Sequence, residues 1–165
     1  MTTRRRFLST GACAAALAAV GLMPHRAGAA AAAGPFAVTH SDAEWRAMLS
    51  PDAYAVLRQS GTERAFTSPL LDEHREGTFA CAGCDNGLFA SATKYDSGTG
   101  WPSFYAPLDN AVGTEEDRSY GMVRTSVHCN RCGGHLGHVF DDGPEPTGLR
   151  YCINGVALAF HAAAA

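Results

Sequence analysis

The sequence predicts a mainly antiparallel β domain over residues 71–161, preceded by a helical segment over residues 36–70. Three observations predict this fold class. Helix-start signals occur twice, near residues 41 and 50, and glycine and proline divide the remainder into short strand-like segments. Two Cys-x-x-Cys pairs lie far apart within the β part and are expected to hold it together through a metal ion.

Two helices are expected first. Ser41-Asp42-Ala43-Glu44 is a capping box, because the Ser41 hydroxyl can accept from a helix amide while the Glu44 carboxylate reaches back. Ser50-Pro51 starts the second helix with proline at its first helical position, and Gly61 is expected to cap its end. Apolar side chains at helical spacing supply the buried surface of both helices: Trp45, Met48, Leu49, Tyr54, Val56 and Leu57.

Three later segments have the character of strands: residues 78–82, 121–127 and 151–158. In the middle segment, Val123 and Val127 are expected on one face, because side chains alternate along a strand.

Composition and charge exclude several classes of protein. Of the 165 residues, 46% are hydrophobic and 18% are charged, which is unlike a disordered polyelectrolyte. The formal net charge of -3 hides an asymmetry, since four of the 13 basic residues and none of the 16 acidic residues lie within the first thirty positions. The remaining chain is therefore acidic, which argues against nucleic acid as a partner.

Residues 1–29 are typical of a signal peptide of the twin-arginine type. The basic run Arg4-Arg5-Arg6 precedes an apolar stretch over residues 7–23, and Ala27-Gly28-Ala29 offers small residues for cleavage. We expect an exported protein, periplasmic or otherwise extracytoplasmic, with a flexible linker over residues 30–40 and no stable membrane anchor. An anchor is the alternative, although glycines interrupt a stretch that is barely long enough to span about 30 Å of hydrocarbon.

The two Cys-x-x-Cys pairs are the strongest metal signal in the chain. Cys81 and Cys84 form one pair, and Cys129 and Cys132 form the other. Two intervening residues let both sulfurs of a tight turn face one ion, and four thiolates complete the closed tetrahedron of structural zinc. We expect one Zn2+ that joins two distant parts of the domain and takes no part in the chemistry. Redox disulfides and an iron site are the alternatives.

Cys152 is the cysteine that neither the signal peptide nor the metal pairs account for. On a strand, Arg150, Cys152 and Asn154 project from the same face. A cation and an amide beside a thiol can stabilise its thiolate, and they would be a poor way to build a core. Cys152 is therefore a candidate nucleophile, with a small buried apolar residue as the alternative.

Two other segments supply polar and aromatic side chains for a site. His135 and His138, followed by Asp141 and Asp142, place two imidazoles and two carboxylates directly after the second cysteine pair. In Ser-Gly-Thr-Gly-Trp-Pro-Ser-Phe, which begins at residue 97, Trp101 would form a rigid apolar wall. Surface histidines beside an ordinary turn, zinc ligation, and a core tryptophan under a loop are the alternatives.

Residues 94–104, 135–140 and 150–154 resemble the three signature blocks of the B-type methionine sulfoxide reductases. The Cys-x-x-Cys pairs stand before and between these blocks, as in the zinc-binding members of that family. The resemblance covers nearly all of the chain after the signal peptide, and the reductase domain is expected over residues 41–161. It implies two packed antiparallel sheets with amino-terminal helices.

The resemblance also implies a reaction, the reduction of the R epimer of methionine sulfoxide in oxidised proteins and peptides. Cys152 would attack the sulfoxide sulfur, and His138, assisted by His135, would position and protonate the departing oxygen. Asp142 would orient His138, and Asn154 would hold the reacting polar atoms. The expected substrate-binding residues are Trp101, which would pack against the substrate methyl group, and Arg150.

The enzyme product would be a sulfenic acid on Cys152, which a thioredoxin-like protein or another thiol donor would reduce. Many relatives carry a cysteine between the two glycines of the Ser-Gly-x-Gly-Trp-Pro block, where this chain has Thr99. A threonine hydroxyl cannot form a disulfide, so an external thiol is expected to act on the sulfenic acid directly.

Two other classes of function compete with this assignment. A secreted thiol-disulfide oxidoreductase would use redox-active Cys-x-x-Cys pairs and bind no metal. A zinc-bearing binding module without catalysis would tolerate Cys152→Ser. Neither accounts for the shared face of Arg150, Cys152 and Asn154.

Overall fold

Two antiparallel sheets and two short helices make up residues 36–164, the part of the chain that the structure, a computed structural model, describes. The predicted signal peptide over residues 1–29 lies outside the described residues, as does the first part of the linker predicted over residues 30–40. Among residues 36–164, no helix is long and apolar enough to cross a membrane.

The strands of the described residues form a three-stranded and a six-stranded sheet. The smaller sheet has the order β2 (Gly87–Ala90), β1 (Gly77–Cys81) and β9 (Leu158–Ala162). The larger sheet has the order β3 (Lys94–Tyr95), β4 (Ser103–Phe104), β8 (Arg150–Ile153), β7 (His135–Phe140), β6 (Arg124–Cys129) and β5 (Val112–Asp117). All of their pairings are antiparallel, which confirms the predicted mainly β fold of two antiparallel sheets.

The two helices, α1 (Asp42–Met48) and α2 (Pro51–Gln59), begin at the predicted residues. The capping box that starts with Ser41 is present in full. At the end of α2, Ser60 and not Gly61 takes the left-handed conformation, with φ of 56°. The predicted cap is therefore displaced by one residue.

Aromatic side chains fill the space between the two sheets. Phe79 on β1 and Phe89 on β2 contact Phe104 on β4, with ring centroids 5.0 and 4.4 Å apart. All three side chains are fully buried, and each burial contributes roughly 1.5–3 kcal/mol relative to exposure. Leu57 of α2 lies against the glycines of both cysteine turns, so the helix packs onto the predicted metal site.

The first two predicted strands differ in how well they match the structure. Residues 78–82 agree with β1 to within one residue at each end. Residues 121–127 do not agree with β6 at their start, because Gly121 has φ of 69° and closes the hairpin between β5 and β6. Val123 is consequently exposed beside this turn, while Val127 is buried.

The third predicted strand, residues 151–158, is divided between the two sheets. The 3-10 turn Gly155–Ala157 separates β8 of the larger sheet from β9 of the smaller one. The Glu63 carboxylate accepts hydrogen bonds from the first two amides of this turn. Those amides are therefore withdrawn from strand pairing, and the chain passes from one sheet to the other.

Candidate active site

Four cysteine sulfurs from two turns, one in each sheet, lie within 4.8 Å of one another. The Sγ–Sγ distances are 3.7 Å for Cys81 and Cys132 and 3.6 Å for Cys84 and Cys129. Metal–sulfur bonds of about 2.3 Å in a tetrahedron require sulfurs about 3.8 Å apart. The four predicted ligands therefore fit one metal ion, and all four are free thiols.

Side chains outside the two turns support this cysteine cluster. The Nη1 of Arg58 on α2 donates to the Cys132 carbonyl at 3.1 Å, and the Asn86 amide Nδ2 lies 3.7 Å from the Cys129 sulfur. Both sulfur-bearing residues are buried. Because four protein ligands complete a tetrahedron, the cluster leaves no position for a substrate.

Cys152 lies on β8, with Ser103 of β4 and His138 of β7 as its register partners. Its side chain is half-buried, and its Sγ is 3.8 Å from the Thr99 Oγ1. Burial raises the pKa of the Cys152 thiol, while the Thr99 hydroxyl and the Arg150 guanidinium favour the thiolate and oppose this change. Formation of a Cys152 thiolate is therefore favoured by these two polar neighbours.

A cavity of about 130 Å³ opens beside Cys152. Trp101, His138, Phe140 and Asn154 contribute to its walls. Side chains predicted from three separate segments of the sequence thus meet around one space. Its volume suits the end of a single side chain, since pockets for larger ligands usually measure about 300–1,000 Å³.

His138 projects from β7 on the same face as Cys152, because directly opposed residues of antiparallel strands share a face. Its Nε2 lies 2.8 Å from the Oδ2 of Asp117. Asp117 also accepts from the Ser119 N–H at 2.8 Å and from the Arg124 Nη2 at 2.6 Å. Hydrogen bonds from Ser119, and then the His138 and Arg124 contacts, hold the pKa of Asp117 well below its usual range. The carboxylate is therefore ionised where it meets the imidazole.

Asp142 does not contact His138, which corrects the prediction from the sequence. Its two oxygens accept from the Nε and Nη2 of Arg150, each at 2.8 Å. Asp142 lies beyond the end of β7, whereas β5 ends at Asp117 and approaches His138 across β6. The acidic partner of His138 thus comes from 21 residues earlier in the chain.

Arg150 is held over the ring of Phe140. Its guanidinium carbon is 4.4 Å from the ring centroid, and its ion pair with Asp142 leaves the side chain 12% exposed. Its positive charge favours the Cys152 thiolate, but the residue does not line the cavity. The structure therefore places Arg150 beside Cys152, the candidate nucleophile, whereas the sequence predicted that it would contact the substrate.

Asn154 is almost fully buried, and backbone groups occupy both ends of its amide. Its Oδ1 accepts from the Glu63 N–H, and its Nδ2 donates to the Leu136 carbonyl, both at 2.9 Å. The Glu63 carbonyl in turn accepts from the Trp101 Nε1 at 3.2 Å. Asn154 therefore fixes the backbone around the cavity, and through the backbone of Glu63 it also helps to fix Trp101. This role differs from the predicted contact of Asn154 with the reacting atoms.

His135 is 8% exposed and packs edge-on against His138, with ring centroids 5.4 Å apart. Its Nδ1 lies 3.1 Å from the Ser126 Oγ. Burial, with a smaller contribution from the neighbouring His138, lowers the pKa of His135 to about 4. The lowered pKa keeps this ring neutral near pH 7, and His135 does not line the cavity around Cys152. Its share in proton delivery stays a prediction.

The loop that carries Trp101 is fixed by unusual backbone geometry. Gly98 and Gly100 have φ of 69° and 91°, a region that residues with side chains rarely adopt. The Gly100 carbonyl accepts from the Phe66 N–H at 2.8 Å. With its Nε1 bonded and its backbone fixed, Trp101 presents a rigid apolar wall to the cavity, as predicted.

Three residues that shape the site were not predicted from the sequence: Glu63, Asp117 and Arg124. Glu63 lies in an irregular segment after α2, and the other two lie on opposite strands of the hairpin between β5 and β6. No local motif marks such positions. Their role follows from contacts across the fold.

Comparison with known proteins agrees with this site. Residues 49–162 match the family model of the SelR domain. The peptide methionine sulfoxide reductase MsrB of Thiobacillus denitrificans is 58% identical over 122 residues, which cover 73% of this chain and 92% of the relative. The protein of the same name from Pseudomonas putida is 60% identical over 118 residues, which cover 71% of this chain and 89% of the relative. That from Methanosarcina mazei is 53% identical over 124 residues, which cover 74% of this chain and 89% of the relative. Because the matched residues include both cysteine pairs and the whole cavity around Cys152, the chain belongs to the SelR domain family, the MsrB peptide methionine sulfoxide reductases.

Proposed function

We propose that this chain reduces the R epimer of methionine sulfoxide in peptides and proteins to methionine, and so repairs oxidised proteins. The observation that carries the proposal is the cavity in which the Cys152 thiol, the His138 imidazole and the Trp101 ring meet. These groups supply the nucleophile, the proton donor and the apolar wall that reduction of a sulfoxide side chain needs.

The reaction transfers one oxygen atom from the substrate to Cys152. The thiolate attacks the sulfoxide sulfur and forms a sulfur–sulfur bond as the oxygen is protonated. The oxygen then passes to the Cys152 sulfur, the sulfur–oxygen and sulfur–sulfur bonds to the substrate break, and the products are methionine and a sulfenic acid on Cys152. The methionine sulfur gains two electrons and the cysteine sulfur loses two. The proton released by the thiol is balanced by the proton that the sulfenic acid carries.

His138 positions the sulfoxide oxygen and protonates it as the sulfur–oxygen bond weakens. Asp117 occupies the Nε2 side of the ring at 2.8 Å, so Nδ1 is the nitrogen that remains for the substrate. An ionised carboxylate that accepts from Nε2–H fixes the orientation of the ring, and the ring can then donate from Nδ1 in its doubly protonated form, whose positive charge the carboxylate stabilises. Asp117 is therefore a positioning residue for the proton donor.

Selectivity for one epimer follows from three fixed directions around the sulfoxide sulfur. The methyl group would pack on Trp101, the oxygen would face His138, and Cys152 would approach along the remaining direction. The main chain of the substrate leaves through the mouth of the cavity. Exchanging the oxygen and the methyl group, as in the other epimer, would place an apolar group on the imidazole and leave the oxygen on the indole without a donor.

We infer that the ion of the cysteine cluster is zinc. A tetrahedron of four thiolates, the arrangement that the sulfur positions fit, is typical of structural Zn2+. Bound there, zinc would supply structure by joining a turn of the smaller sheet to a turn of the larger one. The chemistry stays with Cys152 and His138.

An external thiol donor, such as a thioredoxin-like protein, returns Cys152 to the thiol. Two thiol groups supply two electrons, and the products are a disulfide of the donor and water. Within the chain, the group placed next to the sulfenic acid is the Thr99 hydroxyl, 3.8 Å from the Cys152 sulfur, and it cannot form a disulfide.

We also propose that residues 1–29 direct export by the twin-arginine route to the periplasm or another extracytoplasmic compartment. The support is the order of basic cluster, apolar stretch and small residues in the sequence. Export in the folded state would let the cysteines bind metal before they meet an oxidising compartment. In the full chain, replacing Arg4, Arg5 and Arg6 by lysine should leave the uncleaved precursor in the cytoplasm; unchanged export would contradict the proposal.

The activity is tested with the separated epimers of N-acetyl methionine sulfoxide amide and dithiothreitol as reductant. We expect the wild type to consume the R epimer alone and Cys152→Ser to be inactive. Thr99→Ser, which keeps a hydroxyl beside the sulfur, is the matched control and should remain active. Equal consumption of both epimers, or an active Cys152→Ser, would reject the proposed function.

A further inference from the structure

A second and larger cavity adjoins the active site through Trp101. Its volume is about 420 Å³, against about 130 Å³ for the cavity at Cys152, and Trp101 contributes to the walls of both. The smaller cavity accommodates the end of one side chain. The neighbouring residues of a peptide substrate must therefore lie outside it, and the larger space, here called the flanking cavity, lies next to the tryptophan wall.

Phe66 gives the flanking cavity an exposed aromatic wall. Its side chain is 70% exposed and its backbone has φ of 63°, which is uncommon for a residue other than glycine. The ring lies beside Gly100, which has no side chain to displace it. With Tyr95 and Trp101, the cavity thus has three aromatic residues in its lining.

The charges of the flanking cavity favour a cation. Asp72 and Asp96 line it, are exposed, and form no ion pair with any described residue. Lys94 and His74 line the same cavity; the positive charge of Lys94 offsets one of the two aspartates, and its Nζ donates to the Leu71 carbonyl at 2.7 Å. Glu73 also lines the cavity and is paired with an arginine outside it. One negative charge of the two aspartates is therefore left without compensation.

We propose that the flanking cavity is a subsite for a basic side chain, lysine or arginine, that lies close to the methionine sulfoxide in the substrate polypeptide. The aliphatic part of such a side chain would pack on Phe66 and Trp101, and its cation would approach Asp72 and Asp96. The proposal rests on the proposed reductase function and adds a sequence preference to it.

The test compares four blocked peptides that differ at one position. Each contains one R methionine sulfoxide among alanines, with lysine or glutamate placed directly before or directly after it. The measured quantity is the ratio of kcat/KM for the lysine peptide to that for the glutamate peptide. For the side of the methionine that reaches the flanking cavity, we expect a ratio of about 5 to 10 at low salt. Because exposed charges are screened by salt, the ratio should fall in 1 M sodium chloride.

Two substitutions separate the flanking cavity from the overall charge of the protein. Asp72→Lys should bring the ratio to 1 or below, whereas Asp109→Lys, at an exposed turn outside the cavity, should leave it unchanged. The two variants change the net charge equally. Phe66→Ala should lower the ratio without a change of charge, because it removes one aromatic wall.

A wild-type ratio near 1 for both placements, or an equal fall in Asp72→Lys and Asp109→Lys, would overturn the subsite. Failure of the reductase function itself gives a different result, because the wild type would then leave the R epimer of the small amide unreduced. In that event, calorimetric titration of the Cys152→Ser chain with the same peptides makes the comparison without turnover. Equal affinities for lysine and glutamate peptides would overturn the subsite there too.

Discussion

Asp117→Asn tests how His138 is held. The change keeps the size of the side chain and removes the negative charge that now lies 2.8 Å from the imidazole Nε2. A hydrogen bond that involves a charged group contributes about 1.5–3 kcal/mol. If that stabilisation is needed as the proton is transferred, the sulfoxide step should slow by about 10- to 150-fold.

The assay is a single turnover with excess enzyme, quenched over time and analysed for methionine. The rate of Cys152 alkylation by iodoacetamide, measured in parallel, should change much less. Burial, Thr99, Arg150 and Asp142 determine the shift in the Cys152 pKa, and Asp117 is not among them. The charge-matched control is Glu116→Gln on the same strand, an exposed side chain that contacts Arg118, and it should keep its activity.

A double-mutant cycle separates orientation of His138 from loosening of the hairpin, since Asp117 also binds Ser119 and Arg124. If Asp117 acts through His138, Asp117→Asn should add little to the loss already caused by His138→Ala. Fully additive losses would refute this reasoning. So would a variant Asp142→Asn that slows the sulfoxide step more than Asp117→Asn does.

The remaining predictions concern the metal, the sulfenic acid and the thiol. Cys81→Ser should lose the metal and melt at a much lower temperature, because metal binding in small zinc modules contributes on the order of 10 kcal/mol; metal-free protein of unchanged stability would contradict this. With one equivalent of substrate and no reductant, the wild type should gain one oxygen on Cys152, as measured by mass spectrometry. The Thr99→Cys variant should instead lose two hydrogens, because a disulfide can form across the present 3.8 Å contact between residues 99 and 152. A disulfide in the wild type, with release of the metal, would show that a metal ligand is the resolving thiol. Because burial raises the Cys152 pKa, the rate of Cys152 alkylation should still increase with pH above about 8.5, the ordinary pKa of a thiol. Arg150→Met should move the midpoint of this pH profile to a higher pH. A rate that is already constant below about pH 8 would disprove this.

The elements with local signals were predictable from the sequence. A capping box and a Ser-Pro pair mark the starts of both helices, and the paired cysteines indicate a four-sulfur metal site because their spacing is itself the geometry of two tight turns. Cys152 was also identifiable as a candidate nucleophile, since it shares its strand with polar neighbours. These signals lie within a few residues of the feature that they predict.

The features that failed depend on contacts across the fold. Asp142 follows His138 closely in the chain, and proximity made it the expected partner, but strand order gives that place to Asp117. The apolar run after Cys152 has the composition of one long strand, yet the Glu63 carboxylate captures two of its amides and turns it into the other sheet. Periodicity carries no information about such a distant hydrogen-bond acceptor.

The buried sulfur cluster makes the departure of its metal a kinetic measure of local opening. Cys81, Cys129 and Cys132 are at most 3% exposed, and Cys84 is half-buried, so a chelator can replace the three buried ligands only after one of the two turns has moved away. At high chelator concentration, the release rate should therefore become independent of that concentration and equal the opening rate. The turn at Cys132 leads directly into the strand of His138, so the same event would disturb the proton donor. The position of His138 beside Cys152 would then persist, on average, no longer than the metal stays bound, because each release of the metal requires such an opening.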